Sequence, residues 1–409
     1  FFFTHTPASE MLRSLVGSEM CIRDSPQGVK ESMVKNSVSK TSLHDAVIVG
    51  AGAAGVGVGA TLRHAGIEDF LILDRSTVGA SFRSWPRETR FITPSFPTNS
   101  IGMLDLNAVA LGTSPAVSLR AEHPTGRRYA EYLKLVASHF KLPISSDTDV
   151  INIEKVGDEF HIEINEGIVR SKHLIWAAGE FQYPTADGIP GLEHCRHTAT
   201  IDRYVELEGE SFIVIGGYES GIDAAYHLAE QGKHVQLFDS GCPWQSKTSD
   251  PSVALSTYSM ERMKAPHFVD RVELQPYTRI TAVLRKDESY TVSTLEGIQF
   301  SSNSPPLFAG GFDGSHKLIE DLFEKREDGF PLLSEKDEST VTPGLFLCGP
   351  AVRHGNQSFC FIYKYRQRFA VVAKAIADEL DLPAENLEIY RMWGMYLDDL
   401  SCCGQECVC

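Results

Sequence analysis

The chain has 409 residues, 42% of them hydrophobic and 22% charged, a composition typical of a globular protein large enough for two domains. Its formal net charge of -16 argues against nucleic acid or an anionic membrane surface as the main partner, because both repel an acidic protein. No segment predicts a transmembrane span, and nine cysteines without a spread-out secreted pattern predict a cytoplasmic protein.

Residues 1–43 are predicted to be a non-native or disordered N-terminal extension. Within them, residues 11–24 resemble a translated sequencing adaptor, so they are excluded from the fold. They lack the continuous apolar core of a signal peptide, because Glu19 and Arg23 interrupt it. Met33 is therefore a candidate start of the natural chain.

A strand–turn–helix–strand unit is predicted at residues 45–74. Its first strand is fully apolar at residues 46–49, which favours a parallel sheet covered on both faces. Gly66 stands where a glycine ends the helix, and a second apolar strand follows it. The same pattern recurs at residues 211–239, with Gly232 in the place of Gly66. The chain therefore contains two copies of one unit.

The first copy has Gly50, Gly52 and Gly55 in the G-x-G-x-x-G spacing. In this pattern the first glycine permits a tight turn, the second lets a pyrophosphate approach the backbone, and the third lets the helix pack on the strand. Asp74 follows where an acidic residue would meet a ribose hydroxyl. The first copy therefore predicts a dinucleotide site.

The second copy departs from this pattern. Gly216 and Gly221 are in place, but Tyr218 replaces the middle glycine, so a dinucleotide must pass a phenol ring or the ring must swing aside. Glu219 and Ser220 could cap the helix or contact a ribose. We predict a nucleotide site here, with a Rossmann unit that has lost its ligand as the alternative.

Asp239 closes the second copy and bears on the choice of cofactor. An acidic residue at this strand end favours the free 2′-hydroxyl of NADH and repels the 2′-phosphate of NADPH. No arginine follows within residues 240–245, although Lys247 is not far. The sequence therefore favours NADH.

The two turns and several later segments resemble the two-dinucleotide-binding flavoproteins, the flavin-monooxygenase-like and pyridine nucleotide-disulfide oxidoreductase group. Residues 174–179 and 307–312 are similar to the two crossover segments of this group, and residues 342–349 to the late strand that returns to the flavin. Residues 78–86 are similar to its Gly-Gly-x-Trp region, which lies along the flavin. Residues 123–133 look like the helix start that precedes the return strands.

The resemblance implies an α/β protein with two Rossmann-like domains. The FAD-binding domain covers residues 44–207 and 301–385, the NAD(P)-binding domain is inserted at residues 208–300, and residues 386–409 form a cysteine-rich tail. This insertion brings two clefts face to face, as hydride transfer requires. The implied cofactors are FAD at the first turn and NADH or NADPH at the second.

The predicted cofactor-binding residues come from both turns and from the segments that follow them. Phe82 and Trp85 could equally serve apolar packing. The full set is Gly50, Gly52, Ala53, Ala54, Gly55, Asp74, Arg75, Ser81, Phe82, Trp85, Gly179, Gly349, Gly216, Gly217, Tyr218, Glu219, Ser220, Gly221 and Asp239.

The final electron acceptor is left open between three hypotheses. The first is oxygen chemistry, as the monooxygenase-like branch implies. The motif diagnostic of that branch fails around His197, because Gly191, Glu193 and Ile201 stand where phenylalanine, glycine and an aromatic residue belong.

The second hypothesis is reduction of a thiol, disulfide or metal substrate. The chain ends with Cys402, Cys403, Cys407 and Cys409, and the first two are the candidate catalytic residues. Adjacent cysteines are not the usual metal-ligand spacing, so no metal site is predicted. Cys348 and Cys360 are single cysteines that could also take part, and an inert tail is the alternative.

The third hypothesis is a non-enzymatic subunit that senses the dinucleotide state, which Tyr218 blocking the second site would favour. A small-molecule or thiol substrate is the expected partner of an enzyme, and the oligomeric state is not predicted. Arg353 and His354 could neutralise a pyrophosphate or a reduced flavin. The basic residues Lys364, Arg366 and Arg368 are predicted on the solvated face of a helix, because Phe361, Tyr365 and Phe369 recur at helical spacing.

Overall fold

A computed structural model describes residues 42–97, 104–186, 188–248 and 250–401. The predicted extension up to residue 41, and Cys402, Cys403, Cys407 and Cys409, lie outside these ranges. Within the ranges, no helix combines the length and apolar character needed to cross a membrane.

The elements alternate between strand and helix in both repeated units. In chain order they are β1 Leu43–Val49, α1 Ala53–His64, β2 Phe70–Leu73, α2 Ala80–Arg83, α3 Pro115–Leu119, α4 Gly126–His139, β3 Ile144–Ser145, β4 Val150–Val156, β5 Glu159–Ile164, β6 Gly167–Trp176, β7 Arg196–His197, β8 Ser211–Ile215, α5 Glu219–Glu230, β9 His234–Phe238, α6 Thr257–Arg262, α7 Pro266–Arg271, β10 Val272–Gln275, β11 Ile280–Lys286, β12 Ser289–Thr294, β13 Gln299–Ser302, β14 Leu307–Phe308, β15 Leu345–Leu347, β16 Arg353–His354, β17 Gln357–Ser358, α8 Ile362–Tyr365, α9 Phe369–Glu379 and α10 Ile389–Met392.

The first unit is built on a sheet in the order β3-β2-β1-β6-β5-β4, with β15 paired to β6. Strand β1 pairs in parallel with β2 and β6, and β15 also pairs in parallel with β6. The meander β4-β5-β6 is antiparallel. Because β1 and β15 flank the buried end of β6, the first glycine turn and the late strand reach the same sheet edge, as the sequence predicted.

The second unit has a parallel sheet in the order β10-β9-β8-β14-β7, and a separate antiparallel sheet β11-β12-β13. The α/β class with two Rossmann-like units, the second inserted in the first, is confirmed. The inserted sheet extends beyond the predicted range 208–300. Strand β14 pairs with β8, and β7 pairs with β14, although β7 and β14 lie outside that range. With these two-residue strands, the chain enters the inserted sheet near residue 195 and leaves it near residue 309.

The predicted C-terminal tail is part of the first core up to residue 401. Leu387, Tyr390 and Met395 are at most 1% exposed and pack in the same hydrophobic cluster as β1 and α1. The Tyr390 hydroxyl also lies 2.6 Å from Nδ1 of His64 on α1. The description of residues 386–409 as a tail is therefore wrong for residues 386–401, whose apolar side chains gain burial by docking on the helix.

The basic residues Lys364, Arg366 and Arg368 are buried, so their prediction on a solvated helix face is wrong. The helix is interrupted there by a short 3-10 turn at Arg366–Arg368. Arg366 donates to the carbonyls of Asp105 and Ala108, and Arg368 donates from Nε and Nη2 to the two carboxylate oxygens of Asp337. Each charge is tolerated in the core because such partners replace its water.

Candidate functional site

The first glycine turn connects β1 to α1 and leaves its backbone open. Gly50 has φ +105°, a left-handed conformation that favours glycine, and a Cβ at Gly55 would lie 1.8 Å from the carbonyl oxygen of Gly50. At Gly52, by contrast, a Cβ would meet no atom within 4 Å. No side chain caps α1 at Gly52, so the first-turn N–H groups are available to an anion. These features fit the pyrophosphate of FAD.

Asp74 follows β2 and is tied to this turn. Its Oδ2 accepts a hydrogen bond from the Ala51 amide at 2.7 Å, and its Oδ1 accepts one from the Ser76 amide at 2.9 Å. Burial raises the pKa of Asp74, although both amide hydrogen bonds act against the rise. The carboxylate is therefore held beside the turn, where it can accept a hydrogen bond from a ribose hydroxyl.

A cavity of about 870 Å³ begins at this turn and is lined by both units. On the second unit it reaches the start of α5, and on the first it reaches Cys360 and Tyr365, the last residue of α8. The predicted cofactor residues that line it are Gly50, Gly52, Ala53, Ala54, Asp74, Arg75, Ser81, Phe82, Trp85, Gly179, Glu219 and Ser220.

Aromatic rings form much of the wall next to the first turn. The ring centroids of Phe82 and Trp85 are 5.3 Å apart, and Tyr129 on α4 lies 4.8 Å from Phe82. Phe181 continues the wall, 6.2 Å from Trp85 and 5.3 Å from Phe312. Phe82 and Trp85 therefore serve core packing and line the cavity at the same time, and their contact with FAD stays a prediction.

The second turn repeats the backbone geometry of the first. Gly216 has φ +100°, and a Cβ at Gly221 would again lie 1.8 Å from the carbonyl oxygen of the first glycine. Asp239 repeats the role of Asp74, because its Oδ2 accepts from the Gly217 amide at 2.7 Å. Its Oδ1 accepts from the amides of Gly241 and Cys242. The duplication therefore extends to the acid that binds each turn.

The surroundings of the second turn are more crowded. A Cβ at Gly217 would lie 2.4 Å from the Trp244 ring, so this ring covers the turn. The Tyr218 hydroxyl donates to the carbonyl of Pro251 at 2.7 Å, which holds the ring against the segment before α6. Glu219 accepts hydrogen bonds from the amide and hydroxyl of Ser256, the residue that caps α6. Glu219 therefore supports a neighbouring helix.

Some predicted cofactor residues do not line the cavity. Gly349 packs behind the first turn, where its Cβ position would lie 3.4 Å from Cβ of Ala54. The remainder belong to the two glycine turns and to the strand end at Asp239. The predicted residues outside the cavity wall are Gly55, Gly349, Gly216, Gly217, Tyr218, Gly221 and Asp239. Their assignment to a cofactor stays a prediction.

Glu180 is a cavity residue that the sequence reasoning missed. It follows Gly179 at the carboxyl end of β6, and burial raises the pKa of its carboxyl group while the charge of Arg353 opposes the rise. Tyr365 on α8 also lines the cavity and is 6% exposed. A polar residue directly after a crossover strand is the signal that could have identified Glu180, because ligands bind at the carboxyl ends of parallel strands.

The free cysteines of the described ranges differ in their surroundings. Burial raises the pKa of Cys195 to about 12, and it also raises the pKa of Cys242 and Cys348. Cys360 lines the cavity, and the other three do not. A buried thiol with a raised pKa is a poor nucleophile, so Cys348 does not suit the redox role considered for it.

The two polar residues after β15, Arg353 and His354, have partners within the protein. Arg353 donates to the carbonyls of Pro350 and Val352, and its guanidinium lies 4.2 Å from the ring centroid of Phe330. The Nε2 atom of His354 lies 2.5 Å from Oδ1 of Asp337. Neither residue belongs to the cavity wall, so the idea that they neutralise a cofactor finds no support in their contacts.

His197, the histidine of the failed oxygenase motif, has a structural role. Its Nδ1 accepts from the Ala199 amide and its Nε2 lies 3.1 Å from the carbonyl of Gly311, contacts that a neutral ring satisfies. Burial lowers the pKa of His197, and the hydrogen bond to Gly311 acts against the change. Both ring nitrogens are therefore occupied by backbone groups.

Comparison with known proteins extends these observations. Residues 47–349 match the pyridine nucleotide-disulphide oxidoreductase family. The uncharacterized oxidoreductase CzcO of Bacillus velezensis is 28% identical over 46% of this chain and 53% of its own length. The chain thus spans about half the length of CzcO proteins. Bacilliredoxin reductase Bdr of Bacillus subtilis is 23% identical over 81% of this chain and 97% of that protein.

Solved structures share the fold across most of the chain. The bacillithiol disulfide reductase Bdr (YpdA) from Staphylococcus aureus has a TM-score of 0.67 at 17% identity, covering 83% of this chain and 99% of that one. A flavin-containing monooxygenase from Stenotrophomonas maltophilia has a TM-score of 0.63 at 15% identity with the same coverage. The chain therefore belongs to the pyridine nucleotide-disulphide oxidoreductase family. Members of this family are flavin-dependent oxidoreductases, and membership implies binding of FAD and a nicotinamide nucleotide.

Proposed function

We propose that this protein is an FAD-dependent NAD(P)H oxidoreductase that binds FAD at the Gly50–Gly55 turn and takes hydride from NADH. The observation that carries the proposal is the single cavity that runs from the open backbone at Gly52 to Glu219 and Ser220 at the start of α5. FAD, when bound, accepts two electrons from a nicotinamide and passes them to another acceptor.

The residues of the chain bind and orient the cofactors in this proposal. The first-turn amides of α1 and the positive end of that helix hold the pyrophosphate, and Asp74 accepts from the ribose. The wall of Phe82, Trp85 and Phe181 excludes water from the reacting end. Exclusion of water matters because it protects the reduced cofactor from side reactions.

The preference for NADH rests on Asp239. Its carboxylate lies at the end of β9 and is fixed by three backbone amides, from Gly217, Gly241 and Cys242. A fixed negative charge at this position repels a 2′-phosphate and accepts from a free 2′-hydroxyl. We therefore expect NADH to be the better hydride donor.

The acceptor is proposed to be a small molecule that enters the same cavity, through monooxygenase-like or disulfide-reducing chemistry. The backbone contacts of both His197 nitrogens argue against the oxygenase role of that histidine, whereas Cys360 on the cavity wall favours a disulfide acceptor. Anaerobically reduced, FAD-loaded protein should be mixed with oxygen or with a disulfide. Rapid reoxidation by the disulfide supports a reductase, and a flavin hydroperoxide transient supports the oxygenase.

Truncation after Ser401 tests the proposed participation of Cys402 and Cys403. If the C-terminal cysteines carry electrons, the truncated protein loses disulfide turnover while NADH still reduces its flavin. If turnover is unchanged, the tail plays no part and the cavity itself serves the acceptor.

A sensing role without catalysis is the second candidate, favoured by Trp244 over the second turn and Tyr218 in place of its middle glycine. Under this alternative, NADH and NADPH would leave the bound flavin oxidised. Trp244→Ala separates the two roles, because removing the ring should speed flavin reduction only if the second turn is a working nicotinamide site.

A further inference from the structure

Tyr365 differs from other buried tyrosines in what its hydroxyl contacts. The hydroxyl of Tyr129 donates to the carbonyl of Asn107 at 2.6 Å, and that of Tyr390 lies 2.6 Å from Nδ1 of His64. Tyr365 is 6% exposed, yet its hydroxyl forms no hydrogen bond with a residue of the described ranges. A polar group in such a buried position is nearly always paired, so water or a ligand is needed to supply the partner.

The Tyr365 hydroxyl is open to the cavity. Tyr365 ends α8 and lines the cavity wall together with Pro350 and Phe361. Its hydroxyl oxygen is not fully enclosed by the described residues, so the small exposed fraction of this side chain includes the hydroxyl. Because the side chain belongs to the cavity wall, a molecule in the cavity can reach this oxygen.

The order of the strands indicates which part of FAD would meet Tyr365. In the first sheet β1 lies between β2 and β6, so the glycine turn at the end of β1 has one neighbour on each side. Asp74 follows β2 and marks the side of the adenosine ribose. Glu180 follows β6 on the opposite side, and it interacts electrostatically with Tyr365. With its pyrophosphate at the turn, FAD therefore extends its flavin end towards Tyr365.

The surroundings of Tyr365 keep it a neutral hydrogen-bond donor. Burial raises the pKa of the phenol, and the carboxyl group of Glu180 adds to the rise, while Arg366 acts against it. Burial also raises the pKa of Glu180 itself. The phenol therefore keeps its proton, and a protonated phenol can donate to an oxygen or nitrogen acceptor.

We propose that Tyr365 donates a hydrogen bond to the flavin rings of bound FAD and thereby favours their reduction. The inference rests on the proposed function, because the cavity is the one assigned there to FAD. A hydrogen bond to a charged acceptor is about twice as strong as one to a neutral acceptor. Since reduction adds electron density to the ring acceptors, the Tyr365 hydroxyl stabilises the reduced rings more than the oxidised rings. Tyr365 keeps its proton throughout, and the electrons come from NADH.

Tyr365→Phe tests the inference, because it removes the hydroxyl and keeps the ring. The midpoint potential of the flavin in the full, FAD-loaded chain is measured by reductive titration against a reference dye. We expect the ratio of reduced to oxidised flavin at a fixed potential to fall about tenfold, which lowers the midpoint potential of this two-electron couple by about 30 mV. The affinity of the apoprotein for oxidised FAD should fall less, by about threefold.

Tyr390→Phe is the matched control, because Tyr390 is also buried but lies outside the cavity wall. Its hydroxyl has a partner within the protein, Nδ1 of His64. Tyr390→Phe should therefore lower the urea midpoint of the apoprotein and leave the flavin potential unchanged. Tyr365→Phe should do the reverse, because its hydroxyl has no partner to lose among the described residues.

Two results overturn the inference. One is a flavin potential in Tyr365→Phe equal to that of the wild type. The other is an apoprotein of Tyr365→Phe destabilised as much as that of Tyr390→Phe, because the hydroxyl would then have a structural partner. Either result leaves FAD binding by the wild type intact and so refutes this inference alone. A wild-type chain without affinity for FAD refutes the proposed function, and this inference with it.

Discussion

At the scale of single residues, Gly52 and Gly55 of the first turn meet different physical requirements. A side chain at Gly55 would collide with the Gly50 carbonyl, whereas one at Gly52 would extend into open space. Gly55→Ala should therefore destabilise the fold by about 3 kcal/mol. Gly52→Val should change the free energy of unfolding by less than about 1 kcal/mol but fill the gap through which a pyrophosphate approaches.

For Gly52→Val we expect FAD to bind at least about tenfold more weakly, a loss of about 1.4 kcal/mol. Titration of the apoprotein with FAD, followed by flavin fluorescence, measures this loss, and urea unfolding measures stability. Unchanged FAD affinity in a folded Gly52→Val protein would place the cofactor elsewhere.

Asp239 allows a second prediction at this scale. Asp239→Asn removes the negative charge but keeps an oxygen that can accept from the Gly217 amide. The ratio of kcat/KM for NADH to that for NADPH should fall about tenfold, because the repulsion of the 2′-phosphate disappears. A wild-type preference for NADPH, or a ratio that the substitution leaves unchanged, would remove Asp239 from cofactor selection.

The sequence predicts the backbone geometry of the glycine turns well because that geometry depends on local contacts. Gly50, Gly55 and Asp74 act through neighbours in one strand–turn–helix unit, and spacing alone identifies them. The electrostatic interaction of Glu180 with Arg353 and the contact of Cys360 with Ser252 join distant parts of the chain. No periodicity in the sequence encodes such a contact, so these residues emerge only from the fold.

Pairing of elements across the two units depends on a buried polar cluster. Asp223 on α5 accepts from Arg262 on α6 at 2.6 Å and from Thr89 of the first unit at 2.6 Å, and His227 lies one helical turn away. Burial acts to raise the pKa of Asp223, but contacts with His227 and Arg262 outweigh it and hold the pKa at about 2. The cluster therefore joins α5 to α6 through charge and contacts the first unit through the neutral Thr89 hydroxyl.

This cluster predicts a pH window of stability. The contribution of Asp223 is complete above its ordinary pKa of 3.8 and is lost as the pH falls towards about 2. Burial would lower the pKa of His227, but its contacts with Asp223 raise it, so the contribution of His227 is complete below 6.5 and is lost as the pH rises through the raised value. Unfolding free energy measured in urea should decline on both sides of this window.

Asp223→Asn is expected to lower the unfolding free energy by about 3 to 5 kcal/mol inside the window, because it leaves Arg262 buried without a counter-charge. It should also flatten the pH dependence on both sides. A variant that keeps the wild-type pH profile would show that other groups set the window.

Arg368 gives an element-scale contrast with an exposed pair. It is 1% exposed and bound to Asp337 through two nitrogens, whereas Lys374 pairs with Asp378 on the surface of α9. Arg368→Met should cost about 3 to 5 kcal/mol, since it leaves the Asp337 charge buried. Lys374→Ala should cost less than about 1 kcal/mol. Equal losses of unfolding free energy in the two variants would contradict this account.

The buried cations show where prediction of elements from sequence fails. Lys364, Arg366 and Arg368 alternate with aromatic residues as they would on an amphipathic helix, yet all three are buried, Lys364 within α8 and the two arginines in the 3-10 turn that follows it. The cysteine-rich end of the chain likewise predicts a tail over residues 386–409, although α10 packs on α1. In both cases tertiary partners override the local pattern.

At the scale of the whole molecule, the duplication predicted the architecture. Both copies form strand–turn–helix–strand units with matching acids, and the second is inserted in the first. The boundaries were less predictable, because β7 and β14 are only two residues long and carry no periodicity. The shared cavity could be inferred from the insertion, but its lining depends on loops from both units.

Anaerobic mixing of the FAD-loaded chain with NADH, followed through the flavin absorbance, tests the central claim that one cavity joins the two dinucleotide units. The account predicts stoichiometric FAD binding and bleaching of the flavin whose rate saturates with NADH and is lower with NADPH. A protein without affinity for FAD, or a bound flavin that both nucleotides leave oxidised, would contradict it.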